Sequence, residues 1–211
     1  MASSMIHIAI ASELNKKLNG DKSKLFIGTI SPDISKLIGQ DKKITHFLTK
    51  EGSELPDLDY FLSKYKNNLH DDFVLGYYIH LYVDYLWFKY FLPKVFDEDK
   101  NMITKKDGTI VKCNGKMLLQ YIYNDYTNLN TALADDYDLD FKIFYNEIPK
   151  IDSIIEEVPV DYLDLIVNAA GKIIEESKVT KDMVFDMTDI KIFIDLCIDV
   201  IANNLRSLEL L

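Results

Sequence analysis

Four histidines, His7, His46, His70 and His80, all fall within the first 80 residues of a chain of 211. Imidazole nitrogens and carboxylate oxygens are donors that zinc accepts, and a catalytic zinc keeps one position open for water. The most specific pairing is His80 with Asp84, in Gly76-Tyr77-Tyr78-Ile79-His80-Leu81-Tyr82-Val83-Asp84. Residues four apart on a helix lie one turn apart on the same face, so these two can chelate one divalent ion. The surrounding helix is apolar, where a carboxylate must find a partner or lose its charge. A core histidine hydrogen-bonded to Asp84, with no metal, fits the same spacing. Asp33 follows Pro32 on a turn between apolar segments, as a ligand or as the N-cap of a helical turn beginning at Ile34. His46, in Thr45-His46-Phe47, is a ligand or a packed side chain. His7 lies on the inward side of its helix with Ile10, Ala11 and Leu14. Asp125, in Tyr123-Asn124-Asp125-Tyr126, is an extra ligand, a substrate contact or a helix-surface carboxylate.

These residues must be positioned by helices. Apolar residues at Ile6, Ala9, Ile10, Leu14 and Leu18 give helical spacing over Met5 to Leu18, stopped by Asn19-Gly20. Leu25 to Ile30 is a short apolar stretch. Ser31-Pro32-Asp33 predicts an irregular turn, because proline disfavours the helical region for the residue before it. Ile34 to Ile38 reads as one helical turn, Asp41 to Leu55 as a polar loop and Leu58 to Tyr65 as a short helix. Asp71 to Lys94 is the strongest helical pattern and ends at Pro93. Lys106-Asp107-Gly108-Thr109, between Ile103 and Ile110, predicts a hairpin turn. Further helices are expected over Lys116 to Leu133, Phe141 to Ile148, Ile154 to Val158, Asp161 to Lys178 and Asp189 to Leu205. The acidic run Ala134 to Asp140 reads as a solvated loop. The expectation is an all-α, single-domain helical bundle over residues 1–211 with a short β-hairpin excursion near 102–112.

Composition narrows the function. The net charge of −10 repels phosphate backbones and anionic headgroups, so neither nucleic acid nor a stable membrane association is expected. A metal is the direct way to build an anion-binding site inside so acidic a chain. No apolar run reaches the length needed to span a bilayer, and no signal peptide is recognisable, so a cytoplasmic location is expected. Cys113 and Cys197 make neither a disulfide framework nor a thiolate metal site, and Cys197 reads as a buried small hydrophobe. Thirteen Tyr, eleven Phe and one Trp are a heavy aromatic load, much of it around His80. At helical spacing this reads as core packing, with an aromatic cage for a quaternary ammonium as the alternative.

The motifs also have an order: Ile6-His7-Ile8-Ala9, then Phe26-Ile27-Gly28-Thr29-Ile30-Ser31-Pro32-Asp33, then Ile44-Thr45-His46-Phe47, then Gly76 through Asp84. In that order they resemble the zinc-dependent phospholipase C family, which is loosely related to single-strand-specific nucleases of the same all-helical fold. The resemblance covers residues 6 to 84. It implies that Asp33, His46, His80 and Asp84 surround one zinc. It also implies that Asp84 bridges to a second zinc held by His7 and, in the secreted enzymes, by a free N-terminal residue. Asp33 is then the candidate catalytic residue, orienting or deprotonating the attacking water. The family's third zinc draws on later histidines, and here none follows His80; Tyr90, Tyr121 and Asp125 occupy that region. One or two zinc ions are therefore expected, acting on a small phosphate ester. A non-catalytic binding module with a structural or vestigial metal site is the alternative. A lesser one is an HD-type phosphohydrolase built on His46, His70-Asp71 and Asp125. Under the preferred reading His70 is a surface or capping residue.

Overall fold

Helix α1 (Ser4–Leu18) starts where the Ser3 side chain accepts the Ile6 amide and stops where Asn19 turns left-handed at φ 56°. In the computed structural model, which describes residues 1–139, 141–145, 147–175, 177, 178, 181 and 183–211, each longer helix on the N-terminal side is opened by a side-chain cap of this kind. Asp21 caps α2 (Lys22–Ile30) by accepting the Ser23 and Lys24 amides, so the apolar stretch at 25–30 is part of a true helix. It runs on into a 3-10 turn, Ser31–Ile34, instead of an irregular bend. Pro32 is tolerated there because the first turn of a helix leaves its N–H groups unbonded in any case. A single turn, α3 (Ser35–Ile38), ends at Gly39, and α4 (Lys42–Thr45) gives the expected loop one turn of helix capped by Asp41.

After α5 (Leu58–Tyr65) comes the central element, α6 (Asp72–Leu86), capped by Asp71. Every residue from Phe73 to Leu81 is buried, as a helix that is apolar all round requires. The helix widens into a π turn, Trp87–Phe91, before α7 (Leu92–Val95). Pro93 explains the widening, since its ring crowds the carbonyl four residues earlier. Strands β1 (Phe96–Asp97), β2 (Met102–Thr104) and β3 (Ile110–Lys112) form a small antiparallel sheet, with Ile103 opposite Val111 across the expected hairpin.

The C-terminal side supplies α8 (Gly115–Asp136), α9 (Leu163–Glu175) and α10 (Met187–Ser207), with 3-10 turns at Phe141–Phe144 and Val160–Tyr162. Helix α8 absorbs Ala134 to Asp136, which the sequence reading gave to a loop; Asp140 lies outside the described residues. Over 141–148 there is only the 3-10 turn, with Asn146 outside the described residues, and α9 ends at Glu175, one residue before another such position. Ile154 to Val158 is a turn that buries Ile155 and Val158, not a helix. Five residues ending before Pro159 cannot repay helix nucleation, and Val158 is pushed out of the helical region.

The fold is thus all-α with a small sheet, organised around one contiguous apolar core. Its tightest crossing is α2 on α6. A Cβ on Gly28 would stand 2.1 Å from the Phe73 carbonyl oxygen, and one on Gly76 would stand 2.1 Å from that of Leu25. The two glycines are reciprocal, each making room for the other helix's backbone. No helix among the described residues is long and apolar enough to cross a membrane.

Candidate metal centre

Four stretches of chain bring five side chains to one buried point. His7 comes from α1, Asp33 from the turn after α2, His46 from the residue ending α4, and His80 and Asp84 from α6. All but Asp33 have no solvent exposure, and Asp33 is 8% exposed. Two overlapping groups, His7 with His80 and Asp84, and Asp33 with His46 and His80, have ligand atoms close enough to hold a metal ion.

The hydrogen bonds fix which nitrogen faces the centre. His80 Nδ1 lies 2.7 Å from the Thr29 carbonyl oxygen, an acceptor only, so Nδ1 carries the proton. A neutral ring then presents a lone pair at Nε2. The Thr45 hydroxyl donates to the Lys42 carbonyl and so accepts from His46 Nδ1 at 3.0 Å, which leaves His46 Nε2 a lone pair as well. These two Nε2 atoms face one another 3.4 Å apart. Two lone pairs at that range repel unless a proton or a cation lies between them. Nitrogens held about 2.0–2.1 Å from one ion at the tetrahedral angle stand about 3.3–3.4 Å apart.

Carboxylates complete the arrangement. Asp33 Oδ1 is 3.7 Å from His46 Nε2, and Asp84 Oδ2 is 3.8 Å from His46 Nε2 and 3.6 Å from His80 Nε2. The other oxygen, Asp84 Oδ1, accepts the Ala2 amide at 3.0 Å and lies 3.4 Å from His7 Nε2. That last approach is close but not aligned, and both His7 nitrogens and Asp84 Oδ2 have no hydrogen-bond partner. Buried polar atoms left this way are costly, and a cation is one remedy. The His7 and His80 rings stack with centroids 4.0 Å apart, which locks their directions. The set therefore fits a metal by donor chemistry, tautomer and spacing. One ion can be held by Asp33, His46 and His80 or by His7, His80 and Asp84, with His80 common to both groups.

Electrostatics agree. Burial disfavours charge on His7 and, with the neighbouring His80, brings its pKa down from 6.5 to about 4, so the ring is neutral at ordinary pH. Burial likewise lowers His46, against the pull of Asp33. Burial resists ionisation of Asp33 and Asp84 too. It is outweighed by His46 and Lys36 beside Asp33 and by His7 and His80 beside Asp84, which hold both carboxyls well below the usual range. Neutral imidazoles and ionised carboxylates are the forms that bind a metal.

Of the six candidate ligands, five converge and Asp125 does not. Its Oδ1 accepts the Met183 amide at 2.7 Å, and its Oδ2 accepts those of Val184 and Phe185 at 2.7 and 3.1 Å. Asp125 is a buried anchor for the segment that leads into α10, and its oxygens are taken. His70 is exposed and Asp71 caps α6, so the His46, His70-Asp71, Asp125 constellation is not assembled. Asp33 is not an N-cap; it pairs with Lys36 at 2.9 Å. Tyr77 and Tyr78 stack on Phe61 in the core, as their spacing implied.

Sequence reasoning missed the supporting groups. Lys36, one turn after Asp33, and Thr45, beside His46, were readable by position. The Thr29 carbonyl was not, since a backbone acceptor leaves no mark in residue type. Also missed was a cavity of about 870 Å³ beside the centre, which Asp33 lines together with Lys36, Lys42, Trp87 and apolar side chains of α8 and α9. The chain matches no protein-family model, no curated protein and no solved structure.

Proposed function

We propose that this chain is a metal-dependent hydrolase of phosphoric esters, similar to the zinc-dependent phospholipases C, working with one or two zinc ions. The observation that carries the reading is the facing pair of His46 and His80 Nε2 atoms, 3.4 Å apart and both presenting lone pairs, flanked by Asp33 and Asp84. Nitrogen and oxygen donors without thiolate suit zinc. Zinc bound there would supply a water acidic enough to act as nucleophile and a positive clamp for a phosphoryl oxygen.

The chain's own residues would do the rest. Asp33 is the one member of the cluster that meets the cavity, so it is placed to orient a water and take its proton at a carboxylate oxygen. Lys36, 2.9 Å from that carboxylate, keeps it ionised and adds positive charge at the cavity wall. Thr29 and Thr45 hold the two imidazoles in the tautomer that leaves Nε2 free. The buried faces of His7, His80 and Asp84 keep bulk water away from the rear of the site.

A second reading draws on the same burial. Four of the five side chains are wholly enclosed, as in a closed structural site, and that favours a helical binding module holding a metal without turnover. Zinc analysis of unheated, tag-free protein, with assays on phosphomonoester and phosphodiester substrates, separates the readings. The hydrolase reading expects at least one zinc per chain, turnover that is lost with a chelator and restored by zinc, and loss of zinc in His80→Ala. Zinc at full occupancy without turnover on either substrate class favours the module. Substoichiometric zinc that His80→Ala leaves unchanged refutes both.

A further inference from the structure

The cavity beside the centre has a definite polarity. Its walls are apolar over most of their length, with Leu92, Leu118, Ile122 and Ile166 among them, and its charged residues are Asp33, Lys36, Lys42 and Glu54. A volume near 870 Å³ is that of a site for a drug-sized ligand, not a water pocket. Two unpartnered polar atoms also belong to residues lining it. They are Trp87 Nε1, a donor on a side chain with no exposure, and Asn130 Oδ1, an acceptor on one 3% exposed.

The rim discriminates by charge. A ligand ending in a quaternary ammonium needs a free aromatic face. Of the aromatic residues lining the cavity, Phe88 already has the Lys42 ammonium 5.3 Å from its ring centroid, Trp87 and Tyr126 are buried against other rings, and Tyr123 is exposed. Lys42 also pairs with Glu54, a mostly exposed carboxylate free to swing away. Lys42 opens the short helix that His46 closes, so the two residues are one turn apart along it.

We infer that the cavity takes a single-chain alkyl or acyl phosphate monoester, with its tail along the α8–α9 wall and its dianionic phosphate between Lys42, Lys36 and the centre, and that Lys42 rejects choline-type headgroups. This rests on the hydrolase reading for the ligand's orientation but is tested apart from turnover. Trp87 is the chain's single tryptophan and lines the cavity, so its fluorescence reports occupancy.

Protein of measured zinc content is titrated with decylphosphonate, whose carbon–phosphorus bond is not hydrolysed, and separately with decylphosphocholine and methylphosphonate. The expected result is saturable binding of decylphosphonate at least about tenfold tighter than either of the others. Lys42→Gln should erase most of that preference over phosphocholine, and Lys42→Glu should invert it, with zinc content unchanged. Phosphocholine binding as tight as phosphonate, or a preference that survives both substitutions, overturns the headgroup assignment. Methylphosphonate binding as tight as decylphosphonate overturns the tail assignment. The same titration in EDTA reads the Lys42 dependence without zinc, so failure of metal binding and failure of headgroup selection are separate results.

Discussion

Gly76→Ala separates the packing argument from ordinary helix propensity. In an exposed helix interior this change stabilises by roughly 0.5–1 kcal/mol. Here the new Cβ would stand 2.1 Å from the Leu25 carbonyl oxygen and 3.0 Å from the Thr29 amide nitrogen, both backbone atoms that cannot rotate aside. Contacts under 3.0 Å are essentially never tolerated, so α6 must part from α2 by about 1 Å. Forced overpacking costs about 1–3 kcal/mol or more, which outweighs the propensity gain. The expected outcome is a net loss of about 1–3 kcal/mol, or a melting temperature lower by roughly 2–12 °C for a chain of this length. The shift also acts on the centre. It carries His80 and Asp84 away from Asp33 and stretches the His80–Thr29 bond, while metal ligands tolerate only about ±0.2 Å. Zinc affinity should therefore fall by tenfold or more. Thermal unfolding with and without EDTA, alongside a competitive zinc titration, measures both effects. Gly115→Ala is the control, because a Cβ there meets nothing within 4 Å. A Gly76→Ala protein as stable as its parent, with undiminished zinc affinity, would refute the claim that this crossing sets the centre.

Three further outcomes follow from individual groups. The zinc-free protein should lose stability on acidification. His7 has its folded pKa lowered from 6.5 to about 4, so below pH 6.5 the unfolded chain binds a proton that the folded chain refuses. Stability should then fall by about 2 kcal/mol between pH 7 and pH 5 from this residue alone. Denaturant titrations in EDTA should show that slope flattened in His7→Gln, and parallel curves for the two proteins would contradict it. Asp125→Ala strands three backbone N–H groups at Met183 to Phe185, so it should cost about 3 kcal/mol or more while zinc content stays at the parental value. Loss of zinc at unchanged stability would instead return Asp125 to the ligand set. Zinc at about 100 times its dissociation constant should add about 2.7 kcal/mol of stability, visible as a melting shift that Asp84→Asn abolishes.

The sequence was most informative where chemistry and periodicity coincide. The His80–Asp84 spacing put both groups on one face of a helix that is apolar all round, and α6 is that helix. The hairpin was legible from its turn residues, and α1 from its rhythm. Asp125 was a candidate ligand because it lies in the region where the resemblance expects later ligands, whereas its partners lie 58 to 60 residues away in backbone amides that sequence does not display. The Ile154 to Val158 segment was apolar enough for a helix but too short and too near Pro159. The cavity was invisible for a similar reason. Its walls come from helices more than 80 residues beyond Asp33, and nothing local to α8 or α9 announces that they face the centre.

The enclosure of the five side chains also bears on exchange kinetics. Of the five side chains only Asp33 lines the cavity, and an ion leaving past that carboxylate must break its pair with Lys36. Release should accordingly be slow even where affinity is modest. A chelator at neutral pH would strip the protein over long incubations, and brief exposure to it would leave a preparation that only looks metal-free.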